Sequence, residues 1–466
     1  MKLCIRELVA AVGGRLNLGS MPPVAGDLAP LGRIVTDSRQ VKPGDIFWGL
    51  RGSRENGSHY AEDAFLRGAA GVVVAGRKLE PWAGAFSLEV EDTVEALWKL
   101  ATAVRRRFRG TVIGVTGSVG KTTTRDMIHT ALGCRLNGAV SPANWNNQLG
   151  LPLSLLELEE DHDYGVFEHG ADRRGEISLL AAISRPEIGV LTPIGLAHLG
   201  RFGDQRTIAE TKGELLDALP NHGIAVLQGE DPWHQWLAQR CRSNVVWYGT
   251  GERGAMMRGS RAKLTPNGIS LCIEGELFRV PVWGRHFGQA VLAAVAVGRT
   301  FGLRLRDMAD ALVEFSQQPN RCEKISIDGI TWINDTYNSS PTAFDAALEL
   351  LVELPGNGRR VAVCGDMAEL GAASPDFHEQ LGKRLVERGV QAVLAIGDDA
   401  EHLLRGAREA GLDSRYTARC RSVEEIWKHL SPELHAGDLV LVKGARKLQL
   451  DRLFELVAPQ RRAIAA

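Results

Sequence analysis

A glycine-rich turn followed by a lysine and threonines is the clearest chemical signal in this chain of 466 residues. Residues 112–124 read Val-Ile-Gly-Val-Thr-Gly-Ser-Val-Gly-Lys-Thr-Thr-Thr, so an apolar run precedes the turn and a helix-forming segment follows it. Gly117 and Gly120 let backbone N–H groups approach a polyphosphate, Lys121 supplies a positive charge, and the Thr122 hydroxyl can reach a magnesium ion. The segment therefore predicts a binding site for a nucleotide polyphosphate.

Three polar residues follow later apolar runs. Glu168 ends the run 164–167, His198 follows the run 188–191, and Lys212 lies on the helix predicted after it. In an open α/β sheet, ligands bind outside the carboxyl ends of the strands. A carboxylate there can hold magnesium, and a histidine can be a metal ligand or an acid–base group. Each residue alone could be an ordinary loop or surface side chain, whereas the set downstream of a phosphate loop favours a catalytic site.

Three further polar segments follow apolar runs in the last third of the chain. They are 334–341, 365–371 and 443–446. Lys443 and Arg446 place two basic groups at one strand end, which suggests an anionic partner. Asx turns, or glycine turns with exposed charges, explain these segments about equally well when each is taken alone.

The elements that must hold these residues are strands alternating with helices. From about residue 85 onward, apolar runs alternate with helical patterns, which indicates parallel sheets covered by helices on both faces. The strand candidates near the N-terminus are 33–36, 45–50 and 71–75, and those near the C-terminus are 330–334, 360–364, 390–396 and 438–443. We expect an α/β protein of three domains: a small α/β domain at 1–84, a central phosphate-loop domain with a mostly parallel sheet at 85–317, and a further α/β domain at 318–466.

Composition excludes several classes of function. The formal net charge is −1, from 55 basic and 56 acidic residues, so the chain offers no overall attraction to nucleic acid or to an anionic membrane. The seven cysteines contain no C-x-x-C pair, which argues against a disulfide framework and a zinc site. Charged residues interrupt the N-terminal segment, and no apolar run is long enough to span a bilayer. We expect a cytoplasmic protein.

Taken together, these segments resemble the ATP-dependent Mur ligases over essentially the whole chain. The matching segments are, in order, 36–39 with 42–45, 116–123, 144–152, 168–171, 197–198, 212–214, 284–286, 320–321, 335–338, 365–371 and 443–444. The last two favour the branch of the family that joins D-alanyl-D-alanine to UDP-N-acetylmuramoyl-tripeptide. The branch that adds diaminopimelate or lysine would be expected to carry an Asp-Asn-Pro-Arg motif near this region, and this sequence has none.

The resemblance implies a domain and a role for each motif. The N-terminal domain would grip the UDP-muramoyl substrate, the central domain would bind ATP, and a Rossmann-like C-terminal domain would close over the nucleotide and bind D-alanyl-D-alanine. The residues implied in ATP binding are Gly117, Ser118, Val119, Gly120, Lys121, Thr122, Thr123, His286, Arg321, Asp335 and Asn338. Those implied in substrate binding are Asp37, Ser38, Arg39, Asn144, Asn146, Asn147, Asp366, Glu369, Lys443 and Arg446. The implied catalytic residues are Lys121, Glu168, His198 and Lys212, and the implied magnesium ligands are Thr122, Glu168, His198 and Lys212 as a carbamate.

The implied reaction belongs to peptidoglycan precursor synthesis. It would use ATP and two magnesium ions and pass through an acyl phosphate to form an amide, in a monomeric enzyme that acts on small molecules. At this point two alternatives stay open: another amide ligase of Mur or folylpolyglutamate type, and a non-catalytic ATP-binding regulatory protein.

Several positions depart from the family pattern. Ser58 stands where a histidine is common, and Phe287 and Ala290 stand where two asparagines are common, so Gln289 is a candidate to recognise adenine instead. His169 follows Glu168 where an apolar residue is common.

Overall fold

The computed structural model describes residues 3–52, 55–82, 84–251 and 257–457. It has the α/β architecture that the sequence predicts. Contacts between residues divide the chain into two compact units. The first comprises Met1–Gly114, Leu136–Gly170 and Ile177–Ile188, and the second comprises Val115–Arg135, Ala171–Glu176 and Gly189–Ala466. The three domain boundaries stay a prediction.

The described residues form helices of four to fifteen residues. They are α1 (Ile5–Val12), α2 (Pro23–Leu28), α3 (Ala61–Leu66), α4 (Thr93–Arg107), α5 (Lys121–Leu132), α6 (Gly150–Leu155), α7 (Glu176–Ser184), α8 (Leu199–Phe202), α9 (Gln205–Asp217), α10 (Pro232–Ala238), α11 (Phe287–Thr300), α12 (Leu305–Leu312), α13 (Pro341–Glu353), α14 (Ser374–Glu387), α15 (Ala400–Glu409), α16 (Val423–Leu430) and α17 (Leu453–Val457).

The strands are short and mostly buried. They are β1 (Arg15–Asn17), β2 (Ile34–Val35), β3 (Ile46–Trp48), β4 (Gly71–Ala75), β5 (Phe86–Val90), β6 (Thr111–Thr116), β7 (Gly138–Val140), β8 (Tyr164–Glu168), β9 (Ile188–Leu191), β10 (Ile224–Gln228), β11 (Asn244–Gly249), β12 (Met257–Arg258), β13 (Lys263–Thr265), β14 (Gly268–Ile273), β15 (Glu276–Val280), β16 (Glu323–Ile327), β17 (Ile330–Asp335), β18 (Arg360–Gly365), β19 (Ala392–Ile396), β20 (Thr417–Cys420) and β21 (Leu439–Lys443). The predicted strands near both ends of the chain are confirmed, with bounds that shift by one or two residues.

These strands form four sheets, with the orders β1-β5-β4-β3-β2, β12-β11-β10-β9-β6-β8-β7, β13-β14-β15 and β16-β17-β21-β18-β19-β20. In the first sheet β2, β3, β4 and β5 pair in parallel, and β1 is antiparallel to β5. Trp48, the last residue of β3, is fully buried and donates a hydrogen bond from Nε1 to the Thr93 carbonyl at 2.7 Å, so its one polar side-chain atom is satisfied.

The apolar side chains of the phosphate-loop strand β6 are buried. Val112, Ile113 and Val115 are fully buried, as expected for a strand covered on both faces. The strand ends at Thr116, and α5 begins at Lys121, which leaves a turn of four residues between them. That turn contains the predicted phosphate-binding glycines.

The last sheet brings the three polar segments of the C-terminal region to one edge. Strand β21 lies between β17 and β18 and is parallel to both. In this register Asp335 is opposite Lys443, and Lys443 is opposite Cys364. Parallel strands present their carboxyl ends at the same edge, so segments far apart in sequence become neighbours.

The sequence did not predict the three-stranded antiparallel sheet β13-β14-β15, which lies within the predicted central domain. Its strands alternate buried and exposed side chains only in part, and they are connected by short glycine turns. Over the described part of the chain, no helix has the length and apolarity needed to cross a membrane.

Candidate active site

The turn between β6 and α5 has the backbone geometry of a phosphate cradle. Gly117 has a φ of +146°, and a Cβ at this position would lie 2.1 Å from Oγ1 and 2.5 Å from the carbonyl oxygen of Thr192. Gly120 has a φ of +84° and stands immediately before the first residue of α5. Both positions therefore require glycine, and the N-terminus of α5 favours an anion at the turn.

The side chains of the turn are held in place in different ways. Lys121 Nζ donates to the Gly117 carbonyl at 3.0 Å, so the ammonium lies over the cradle. Ser118 Oγ donates to the Gly195 carbonyl at 3.0 Å. Val119 lies in the turn itself, and Thr123 is buried in the first turn of α5. The Ser118 hydrogen bond thus supports the loop, while Lys121 lies where a phosphate would need a positive charge.

Arg321 reaches the phosphate loop from a distant part of the sequence. Its Nη2 atom donates to Thr122 Oγ1 at 3.1 Å, and its guanidinium lies 3.8 Å from the ring centroid of Tyr337. Stacking on an aromatic ring fixes a guanidinium plane. The structure therefore brings the predicted residues Thr122 and Arg321 together.

His198, Lys121 and Lys212 share one electrostatic environment. Burial lowers the pKa of His198, the Glu369 carboxylate raises it, and the positive charges of Lys121 and Lys212 lower it. Nδ1 of His198 contacts the carboxylate of Glu369. The structure thus groups the predicted phosphate-loop lysine, the histidine and the helix lysine, and adds Glu369 to them.

Lys212 is a buried lysine on α9. Its side chain is 2% exposed, and Nζ donates to the Ala171 carbonyl at 3.0 Å. Nζ also lies 5.7 Å from the ring centroid of Phe202. Lysine is rarely this buried without a specific reason, so its position argues against an ordinary charged helix face.

Glu168 lies buried at the end of β8 in the first unit. Asn146 Nδ2 donates to its Oε1 atom at 2.8 Å, and a Cβ at Gly170 would lie 2.8 Å from the Asn146 side chain. The structure thus brings the predicted residues Asn146 and Glu168 together, and the Asn146 amide orients the Glu168 carboxylate. Oδ1 of Asn147 instead accepts from the N–H of Gly150, the first residue of α6, at 2.9 Å, and Asn144 is exposed.

Asp335 and Lys443 form a buried ion pair. Lys443 Nζ lies 2.5 Å from Asp335 Oδ2 and donates to the Asn338 carbonyl at 2.9 Å. Asp335 Oδ1 also accepts from the Cys322 N–H at 3.1 Å. Asn338 turns its own Oδ1 toward the Ser339 N–H at 2.8 Å. Lys443 therefore supports the nucleotide-side residues, and its predicted contact with the dipeptide stays a prediction.

Asp366 and Arg446 have structural partners. Asp366 is buried, and its carboxylate accepts from the N–H groups of Asp398 and Asp399, both at 3.1 Å. Arg446 is exposed and pairs with Asp451 at 3.0 Å. The roles predicted for Asp366 and Arg446 in binding the dipeptide are untested by these contacts.

The N-terminal motif forms a tight turn. Asp37 accepts hydrogen bonds from the Arg39 backbone at 3.0 Å and from its guanidinium at 2.8 Å, which lower the Asp37 pKa to about 2. Ser38 is buried, and a hydrogen bond from it lowers the pKa of Asp63. Ser58, at the position of the missing histidine, is buried and accepts from the Ala75 N–H at 3.1 Å.

A cavity of about 410 Å³ lies beside the start of α11. Its walls include His286, Gln289, Arg285, Glu353 and Arg388. His286 packs against the Phe287 ring with centroids 4.1 Å apart. Within the described residues, Oε1 of Gln289 is buried and has no hydrogen-bond partner.

His169 now has a physical explanation. It is fully buried, with Nδ1 3.1 Å from the Phe167 carbonyl and Nε2 2.8 Å from Ser184 Oγ. Burial lowers its pKa to about 4, so the ring is neutral near pH 7. The histidine that replaces the common apolar residue at position 169 therefore acts in the packing of the first unit.

Arg201 and Asp172 were not predicted from the sequence. Arg201 pairs with Asp172, and its Nη2 lies 3.1 Å from Glu369 Oε1. The only local signal is that Arg201 lies three residues after His198 in a glycine-containing turn.

Comparisons with known proteins identify the family of this chain. Two family models match the chain: the Mur ligase middle domain over residues 115–298, and the Mur ligase, glutamate ligase domain over residues 320–446. A UDP-N-acetylmuramoyl-tripeptide–D-alanyl-D-alanine ligase from Bacillus subtilis (strain 168) is 33% identical over 426 residues, covering 90% of this chain and 92% of that protein.

Solved structures agree with the sequence comparison. A MurF structure from Acinetobacter baumannii aligns with a TM-score of 0.87 at 28% identity, covering 98% of this chain and 99% of that one. A MurF ligase from Thermotoga maritima in complex with ADP aligns with a TM-score of 0.80 at 30% identity, covering 94% and 98%. The chain belongs to the Mur ligase family, in its MurF branch.

Proposed function

We propose that this protein uses ATP to join the terminal carboxylate of UDP-N-acetylmuramoyl-tripeptide to the amine of D-alanyl-D-alanine. The similar protein from Bacillus subtilis carries that activity in its name, and the chain covers 92% of its length. The observation that carries the proposal is the phosphate cradle with the Lys121 ammonium over it, together with the buried Lys212 of α9. A nucleotide switch has no evident use for a buried lysine and a histidine at this place.

The reaction has two steps. The carboxylate attacks the γ-phosphorus of ATP, the bond to the β-phosphate oxygen breaks, and ADP leaves an acyl phosphate behind. The amine of D-alanyl-D-alanine then attacks the acyl carbon, and the tetrahedral intermediate collapses to an amide and inorganic phosphate, which takes up the proton. Lys121 would stabilise charge on the transferred phosphoryl group, since its ammonium already lies over the cradle.

The side chains present fit magnesium, which prefers oxygen ligands. Thr122 offers a hydroxyl, and Glu168 offers a carboxylate that Asn146 orients at 2.8 Å. His198 and Lys212, as a carbamate, would help to hold a second ion. Lys212 fits this modification because addition of carbon dioxide to its buried amine would replace a positive group by a carboxylate-like donor. Magnesium, when bound, would offset the charge of the phosphates.

Other assignments follow from the same proposal. Residues 1–84 would bind the UDP-muramoyl substrate through Asp37, Ser38 and Arg39, residues 85–317 would bind ATP, and residues 318–466 would bind the nucleotide rim and the dipeptide. Gln289 would read the adenine, because the residue lines the cavity and its Oε1, which has no hydrogen-bond partner among the described residues, could accept from an exocyclic amine after a side-chain rotation. The protein would act as a cytoplasmic monomer.

Phosphate release by the purified protein tests the proposal. With ATP and magnesium present, UDP-N-acetylmuramoyl-tripeptide and D-alanyl-D-alanine are supplied separately and then together, and the product is weighed by mass spectrometry. We expect sustained release, with a pentapeptide product, only when both are present. Sustained release with another acceptor or amine, and silence with this pair, would refute the substrate assignment.

Lys212→Ala tests the carbamate in the same assay. We expect ligation to fall at least 100-fold while ATP binding by calorimetry persists, because Lys121 and the cradle are unchanged. The exposed Lys428→Met on α16 is the matched control and should keep its activity. Full activity of Lys212→Ala would exclude the carbamate role.

A further inference from the structure

Two tight turns from distant parts of the sequence lock together beside His198. We call residues 198–201 the histidine turn and residues 369–371 the glutamate turn. The Gly200 N–H donates to the Glu369 carbonyl at 2.7 Å. The Glu369 carboxylate contacts Nδ1 of His198 with one oxygen, and its other oxygen lies 3.1 Å from Arg201 Nη2.

The backbones of both turns are shaped for this contact. His198 has a φ of +58° and Glu369 a φ of +61°, in the left-handed region that residues other than glycine rarely occupy. A Cβ at Gly200 would lie 2.6 Å from the Gly371 nitrogen, and a Cβ at Gly371 would lie 2.9 Å from the Gly200 Cα. The two turns therefore contact each other through glycines and through two residues with left-handed backbone angles. This geometry indicates that their relative position is well defined.

The contact determines which ring nitrogen of His198 is available. Nδ1 of His198 is buried and lies against the Glu369 carboxylate. A carboxylate oxygen can only accept a hydrogen bond, so in a neutral ring this contact places the proton on Nδ1. Nε2 then keeps its lone pair. Carboxylate partners of this kind fix the tautomer and orientation of histidines that bind metals.

We propose that Glu369 is a positioning residue: it holds His198 in the Nδ1-protonated tautomer and so prepares Nε2 to bind the second magnesium. This inference rests on the proposed function. It assigns Glu369 the role of supporting His198, in place of the predicted contact with the dipeptide. Arg201 fixes the other carboxylate oxygen, and Asp172 in turn holds Arg201. The ring is therefore oriented by the glutamate turn.

Histidine side-chain NMR of the ligand-free protein at pH 8 tests the tautomer without any substrate. The chain has 12 histidines, and His198→Gln identifies the signal of His198. We expect protonated Nδ1 in the unmodified protein and a gain of the Nε2-protonated form in Glu369→Gln. Gly200→Ala, which keeps Glu369 but prevents the close approach, should give the same change. Glu387→Gln, an exposed carboxylate on α14, is the matched control and should leave the spectrum unchanged.

Kinetics of Glu369→Gln then separate positioning from substrate binding. We expect the half-saturating magnesium concentration to rise ten- to 100-fold, with the KM for D-alanyl-D-alanine within twofold of the unmodified value. An unchanged His198 spectrum, or a higher dipeptide KM at unchanged magnesium dependence, would overturn the proposal. If Gly200→Ala fails to fold, Glu369→Gln alone decides. Because the NMR needs no reaction, failure of the ligase assay would leave the tautomer result intact and refute only the proposed function.

Discussion

At the scale of single residues, charged groups at the strand ends are held mainly by one another. Lys443 is 1% exposed and lies 2.5 Å from Asp335, which also receives the Cys322 N–H. Burial and the negative charge of Asp335 raise the pKa of the Cys322 thiol. A buried pair of this kind is a weak source of stability, but loss of one partner leaves an uncompensated charge.

Lys443→Met should therefore destabilise the protein by about 3 kcal/mol. The reason is that the Asp335 carboxylate would stay buried without its counter-charge. The measurement is urea-induced unfolding of the second unit, followed by fluorescence. Lys447→Met is the matched control, because the Lys447 side chain is 57% exposed and its ion pairs should contribute less than about 1 kcal/mol. Equal urea midpoints of unfolding for the two variants would show that loss of the Lys443 charge does not destabilise the protein in this way.

At the scale of elements, the end of β8 is tied to the end of α7 by one histidine. His169 follows the last residue of β8, and its ring bonds to Ser184, the last residue of α7. The ring bonds as a neutral group, with one nitrogen donating and the other accepting. Protonation would place a positive charge on a fully buried ring, which burial disfavours.

This tie should make stability depend on pH. The pKa of His169 is lowered from 6.5 to about 4, so its contribution is present above pH 6.5 and is lost as the pH falls toward 4, up to about 3 kcal/mol. His169→Gln, which does not titrate, should lose less stability between pH 7.5 and pH 5 than the unmodified protein. Thermal unfolding at both pH values measures the difference. The exposed His222→Gln should behave like the unmodified protein, and an identical pH dependence in all three would contradict the assignment.

At the scale of the whole molecule, balanced charge leaves recognition to local sites. The formal net charge is −1, and the phosphate cradle concentrates positive charge at one place through Lys121 and the N-terminus of α5. Binding of a nucleotide there stabilises the folded state by mass action, because the unfolded chain has no cradle.

ADP with magnesium should therefore raise the unfolding temperature, with a stabilisation of about 2.7 kcal/mol at 100 times its dissociation constant. Lys121→Met should abolish most of this increase, because the ammonium over the cradle is lost. Differential scanning calorimetry with and without ADP measures it, and Lys428→Met should respond as the unmodified protein does. An undiminished increase in Lys121→Met would place the nucleotide elsewhere.

The sequence by itself determined the local features of this protein. The phosphate loop, the α/β class and the positions of the terminal strands depend on glycine placement and on apolar runs a few residues long, so they can be read without the fold. The same holds for the family, which the ordered motifs indicate.

Only the tertiary structure decided which of these residues meet. Arg321 and Thr122 are 199 positions apart, and Lys443 and Asp335 are 108 positions apart. No local pattern links either pair. For Lys443 and Asp335, the parallel pairing of β17 with β21 brings the two strand ends together. The docking of Glu369 on His198 is of the same kind. It depends on two residues with left-handed backbone angles and on two glycines that meet at one point of contact. The sequence does not show that these two turns will lie against each other in the folded protein.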